Sequence, residues 1–247
     1  MNAWGLSGNA ATSTDFIGTT NTQKLSFKSQ NTPAGFVGTI ATENTAFGIQ
    51  ALNLSTGGDN TAMGFYALYY NTSGISNTAL GSLSLLNNTN GNYNVSMGQS
   101  ALKYNTTGSD NIAIGAFSMN DNTFGDQNTS MGSYALTSNT TASDNSGFGY
   151  AALHSTTTGI ANTAVGTSAL YSNESGQYNV AVGYNAGSGL AIGNNNTYVG
   201  VSAGMAVGSN SYSIALGEYS VVTATDQIRI GTSFTGSIGG YQAWSNL

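Results

Sequence analysis

The 247-residue chain has no cysteine, one proline, one histidine and only four basic residues. Without cysteine, thiolate zinc sites and disulfide scaffolds are excluded. Charged residues are 6% of the chain, against about 25% in an ordinary soluble domain, so acid–base and metal chemistry has few carriers. Four cations spread over a chain of formal charge −6 argue against nucleic-acid binding, which needs clustered Lys and Arg. No run of about 18 apolar residues is present, so no membrane span is expected. Met1-Asn2-Ala3-Trp4 lacks the basic-then-apolar pattern of a signal peptide, which fits a processed fragment or a product exported by another route. Low charge with 39% hydrophobic residues is the opposite of the disordered signature. The single proline suits a backbone hydrogen-bonded nearly throughout.

What the chain does have is a repeat, the first thing to seek in a sequence. Asn44-Thr45-Ala46-Phe47-Gly48 returns at Asn60, Asn77, Asn94, Asn111, Asn128, Asn145, Asn162, Asn179 and Asn196, and Ser213-Ile214-Ala215-Leu216-Gly217 is the eleventh copy. The first step is 16 residues and the other nine are 17. With the Asn as position 0, position 4 is Gly in every copy and position 3 is always large and apolar. Position 7 is Ala or Ser, and position 8 is Leu or Met in the first eight copies. A second Gly precedes most of the Asn residues by three, with Ala142 the exception, and the stretch before it is polar, as in Tyr104-Asn105-Thr106-Thr107-Gly108.

Seventeen residues are too few for two packed helices, and Gly, Asn, Thr and Ser disfavour helix. The spacing predicts an all-β parallel β-solenoid (β-roll) of about eleven coils, each with two short strands and two turns, stacked at about 4.8 Å. Positions 3 and 8 are expected to form two apolar ladders in the core. The Asn row is expected to form a side-chain ladder and to tolerate left-handed turns. The Gly row is expected at a positive-φ turn or a close backbone approach. Two large apolar groups per coil make a thin core. The small residues at positions 2 and 7 would let another surface approach, so a homotrimer is expected. The sequence leaves open which row faces the protomer interior and which the bundle axis.

The unit N-T-A-x-G-x-x-A-L-x-x-N-T-T-G resembles repeats of bacterial fibrous surface proteins and phage tail fibres. Asn210-Ser211-Tyr212-Ser213-Ile214-Ala215-Leu216-Gly217 is similar to the head repeat of trimeric autotransporter adhesins, the YadA-like heads. The resemblance implies a trimeric β-roll, although 17-residue coils are longer than the usual adhesin coils. Trp4 to Asn9, Asp15 to Thr20 and Leu25-Ser26-Phe27 resemble the opening segment before such repeats. Asp226 to Gly231, Ser237 to Gly240 and Trp244 to Leu247 resemble the passage before a self-cleaving intramolecular chaperone of tail spikes, which implies a mature or trimmed fibre. Three regions follow: a capping segment over 1–43, the solenoid over 44–217 and a C-terminal cap or neck over 218–247. Within the first, Lys24 to Lys28 alternates like a strand with one buried face. Residues 31–43, with Pro33 and Phe36, read as a degenerate coil covering the open solenoid end.

Chemistry is sparse. His154 sits at a variable position without a Ser/Asp partner at a shared spacing. Asp59, Asp110 and Asp144 each precede a repeat Asn but never in neighbouring coils, which argues against a calcium ladder. No catalytic, cofactor or metal residue is therefore assigned, and the chain is not expected to be an enzyme. The expected function is extracellular adhesion or receptor binding, as a bacterial surface adhesin or phage-type tail fibre, with a cell-surface glycan or protein as partner and no membrane insertion. Tyrosines at variable positions suit such contacts, and Phe65, Tyr66, Tyr69 and Tyr70 form the densest group. The alternatives are a purely structural shaft subunit and a glycan-cleaving spike with carboxylate pairs between chains. Ice binding is disfavoured by Val95, Ile112 and Val180, which interrupt the Thr row at position 1.

Overall fold

The computed structural model describes residues 24–38, 43–205 and 208–231. The terminal motifs over 1–23 and 232–247 lie outside them. The described residues hold fourteen strands in a single sheet, ordered as they occur in the chain, and no helix. β1 (Leu25–Ser29) and β2 (Thr32–Val37) form an antiparallel hairpin, and β2 pairs antiparallel with β3 (Thr45–Phe47). Every later strand pairs parallel and in register with the one before, from β4 (Thr61–Met63) through β13 (Ile214–Leu216) to β14 (Ile228–Ile230). The chain is a parallel β-solenoid of about eleven coils of about 17 residues.

Each coil carries one three-residue strand, at positions 1 to 3, rather than the two expected. The rest of the coil is turns. Non-glycine residues at positions 6, 8 and 16 take left-handed backbone angles in coil after coil, as at Tyr134 (φ 60°), Leu136 (φ 50°) and Asp144 (φ 62°). Such a conformation costs roughly 1–2 kcal/mol per residue. At position 8 the cost is offset because each Leu is swung fully into the core, which stabilises by about 1.5–3 kcal/mol. The repeat Asn itself is not left-handed; the residue before it is.

The core is not where residue size alone places it. Position 3, expected inside, lies on the outer face of the sheet. The inward residue of each strand is position 2, Ala in most coils and fully buried, as at Ala62, Ala79, Ala113 and Ala164. It faces the buried small residue at position 7 and the Leu or Met at position 8, so positions 2 and 7 are not free to receive another chain. Two coils place a Ser at position 7 against a Ser at position 2 of the next coil: Ser84 meets Ser96 and Ser118 meets Ser130, each with oxygens 2.7 Å apart. The inner space admits one large side chain per coil. Tyr198 occupies position 2, fully buried, where Gly187 and Gly204 replace the Leu of position 8. A Cβ at Gly204 would collide with the Tyr198 ring.

Position 4 glycines close the strand. At Gly98 φ is 142°, and a Cβ there would lie 2.6 Å from the carbonyl carbon of Gly115 in the next coil. Both the positive φ and the close approach expected of this row are present.

At the N-terminal end Gln30 (φ 49°) and Asn31 (φ 62°) reverse the chain within two residues, the geometry that favours a tight hairpin. The stretch containing Pro33 and Phe36 is therefore a hairpin arm and not a degenerate coil. It covers the backbone edge of β3. β1 is a strand, but only Leu25 on it is half-buried and its other residues are exposed, so it has no buried face.

Candidate functional site

Two asparagine rows run inside the solenoid. At position 0, Asn77 donates from its backbone N to Asn60 Oδ1 at 2.9 Å and from Nδ2 to Gly91 O at 2.9 Å. The same pattern recurs at Asn94, Asn111, Asn128 and Asn162. The expected ladder is present. A second row, at position 11, was hidden in the polar stretch: Asn88, Asn105, Asn122 and Asn139 each donate to the Asn of the preceding coil at 2.8–2.9 Å. Both rows converge on one carbonyl per coil, as where Asn77 and Asn88 both donate to Gly91 O at 2.9 Å. The 17-residue recurrence of Asn71 to Asn139 was the signal for it. Burial of both rows assigns them to structure.

Two surface features stand out. The first is the outer sheet face. Successive strand residues point to opposite faces, so burying position 2 presents positions 1 and 3 outward. Position 3 forms an unbroken apolar column from Phe47 to Leu216 with members such as Met63 (51% exposed) and Val182 (38%). Phe27 extends it at one end, its ring 5.8 Å from that of Phe47. Ile230, paired with Leu216, extends it at the other.

The second feature is aromatic and lies on the turns. Phe65, Tyr66, Tyr69 and Tyr70 are brought together as a continuous ring cluster, with successive centroids 4.4, 4.8 and 4.6 Å apart. The left-handed backbone at Tyr66 sets the direction of its ring. A second track was missed from sequence: Phe117 stacks on Tyr134 at 5.3 Å, and Tyr134 meets Tyr150 edge-on at 5.8 Å. Phe117 and Tyr134 share position 6 in neighbouring coils, which was legible from the period.

The titratable groups are scattered. Asp59, Asp110 and Asp144 are exposed and stay in separate coils. His154 stacks on Tyr171 at 4.8 Å, and burial pushes its pKa below 6.5 against the opposing pull of Asp121. Burial in turn raises Asp121 above 3.8, with His154 and Lys103 opposing. Lys103 Nζ donates to Tyr104 Oη at 3.0 Å. Burial pushes the Tyr198 phenol up to about 12, so it remains a neutral core group. Among the described residues no three His, Asp or Glu side chains gather in a metal-binding group, and no helix is long and apolar enough to cross a membrane. Compared with known proteins, the chain matches no family model, no curated protein and no solved structure.

Proposed function

We propose that the chain is a segment of an extracellular homotrimeric fibre acting in adhesion or receptor binding, at a bacterial surface or a phage-type tail. The observation that supports this reading is the unbroken apolar column on the outer sheet face. One exposed Leu is ordinary, but a contiguous apolar strip marks an interface. Eleven coils at about 4.8 Å give a strip about 50 Å long. With its flanking rows it offers on the order of 500–1,000 Å² per chain, comparable with the roughly 800 Å² per partner of a standard interface. A self-complementary strip on a slim rod is closed by symmetric copies around one axis. The turn aromatics then face outward on every protomer and supply weak, repeated contacts to a cell-surface glycan or protein, summed as avidity. The antiparallel β1–β2 hairpin disfavours the shaft-subunit alternative, because it ends the parallel stacking at the N-terminal end.

Light scattering tests the assembly. The expected mass is three times 25.1 kDa. Met97→Lys combined with Met131→Lys is expected to yield folded monomers, because two buried unpaired cations per chain cost several kcal/mol each. Tyr69→Ala with Tyr70→Ala is expected to weaken cell binding while leaving the trimer intact. A monomeric native chain overturns the proposal.

A further inference from the structure

The hairpin continues the sheet side of the solenoid past its first coil, and beneath it lies a cleft of about 300 Å³. Strand alternation puts Lys24, Ser26 and Lys28 on one side of β1, and Ser26 pairs with Phe36 across the hairpin. The cleft is lined by these residues together with Pro33 and Asn53. Two of the four cations of a chain of net charge −6 therefore line this cleft, and among the described residues no carboxylate lines it. The Lys24 ammonium lies 4.6 Å from the centre of the Phe36 ring, which holds it against the cleft wall.

We infer that this cleft binds a sugar bearing a carboxylate, such as a uronic acid residue of a glycan. Two ammonium groups match the anion. Ser26 and Asn53 supply hydroxyl and amide partners for sugar hydroxyls. Phe36 and Pro33 offer apolar surface to the ring. The volume is at the lower end of small-molecule sites, which run from about 300 to 1,000 Å³, and it suits a small saccharide. The inference rests on the reading of the chain as a receptor-binding fibre and names a ligand class for it. Exposed lysines on the edge strand of the described sheet also oppose further strand stacking, so the experiment separates the two roles.

The full chain is titrated by calorimetry with methyl glucuronide, methyl glucoside and acetate, and its mass is followed by light scattering in the same samples. Glucuronide is expected to bind more tightly than either other probe, and to weaken as salt rises. Lys24→Gln and Lys28→Gln are each expected to weaken it about tenfold, as the loss of a charge-assisted hydrogen bond implies. Asn53→Leu, on an exposed turn, provides a second variant that leaves the lysines in place, and its expected effect is a loss of the preference for glucuronide over acetate. Tyr69→Ala is expected to change nothing at this site. Equal binding of glucuronide and acetate overturns the inference. So does a Lys24→Gln/Lys28→Gln variant that binds as the native chain does, including one that only lengthens by end-to-end association. A monomer that still binds glucuronide refutes the trimer and leaves the site standing. A trimer blind to glucuronide does the reverse.

Discussion

Gly147 is the one glycine at position 2, where neighbouring coils carry Ala or Ser. A Cβ there would meet Ala152 O at 3.5 Å and Leu136 Cδ1 at 3.6 Å, ordinary contact distances. Gly147→Ala is therefore expected to stabilise the fold by about 1 kcal/mol, through lost unfolded-chain entropy and a buried methyl group. Thermal unfolding followed by circular dichroism checks it; a lowered midpoint would contradict the packing described. His154 makes a second residue-scale prediction. Its folded pKa lies below 6.5 because burial disfavours the imidazolium. Between the two values the unfolded chain binds more protons, so stability rises with pH and is lost as pH falls below 6.5. Asp121 acts in the opposite sense at lower pH, because its raised folded pKa favours the folded state until pH climbs through it. Denaturant midpoints at pH 7.5 and 5.5 are expected to differ in the native chain, and to differ less after His154→Gln.

The coil is the element of this fold, and much of it was legible. The constant step, the Gly row and the Asn row gave the solenoid and its ladder, because stacking forces every coil to repeat the same local solution. The orientation of the strand was not legible. Met63 or Phe148 looks like a core residue and Ala62 like a surface one. The narrow interior reverses this, since Leu at position 8 leaves room only for a methyl group opposite it. Tyr198 illustrates the constraint, entering the core only beside Gly187 and Gly204. The four-ring turn cluster was legible from its density, whereas its partner track needed the period applied to aromatics. The position 11 ladder makes an element-scale prediction. It is interrupted at Thr156, whose buried hydroxyl has no hydrogen-bond partner, and Asn173 Oδ1 also lacks one. Thr156→Asn is expected to let a new amide donate to Asn139 Oδ1 and accept from Asn173 Nδ2. A hydrogen bond is worth about 1 kcal/mol net, which raises the melting midpoint by about 2–4 °C in a domain of 150–250 residues. An unchanged or lowered midpoint would show that the interruption is not a defect in the ladder.

At the scale of the whole molecule, all coil-to-coil backbone bonds run along one axis. Thr61 N donates to Asn77 O at 2.9 Å and Thr78 N to Asn94 O at 2.8 Å, and the series continues to Ile214 and Gln227. Each coil is also joined only to its neighbours. On the proposed reading, a rod held at one end and bound at the other would be loaded along that axis, parallel to its hydrogen bonds. Those bonds are then pulled open coil by coil instead of being sheared together. Each released coil adds about 17 × 3.4 Å of contour and gives up about 4.8 Å of rod, a gain of roughly 50 Å. Pulling single molecules from the two ends is expected to give a saw-tooth of such steps, whereas one large rupture would mean that the coils yield together. In the proposed adhesive fibre such a rod would be a mechanical fuse: each coil lengthens about tenfold as it opens, so tension would be dissipated in the rod before it reached the bond at its end.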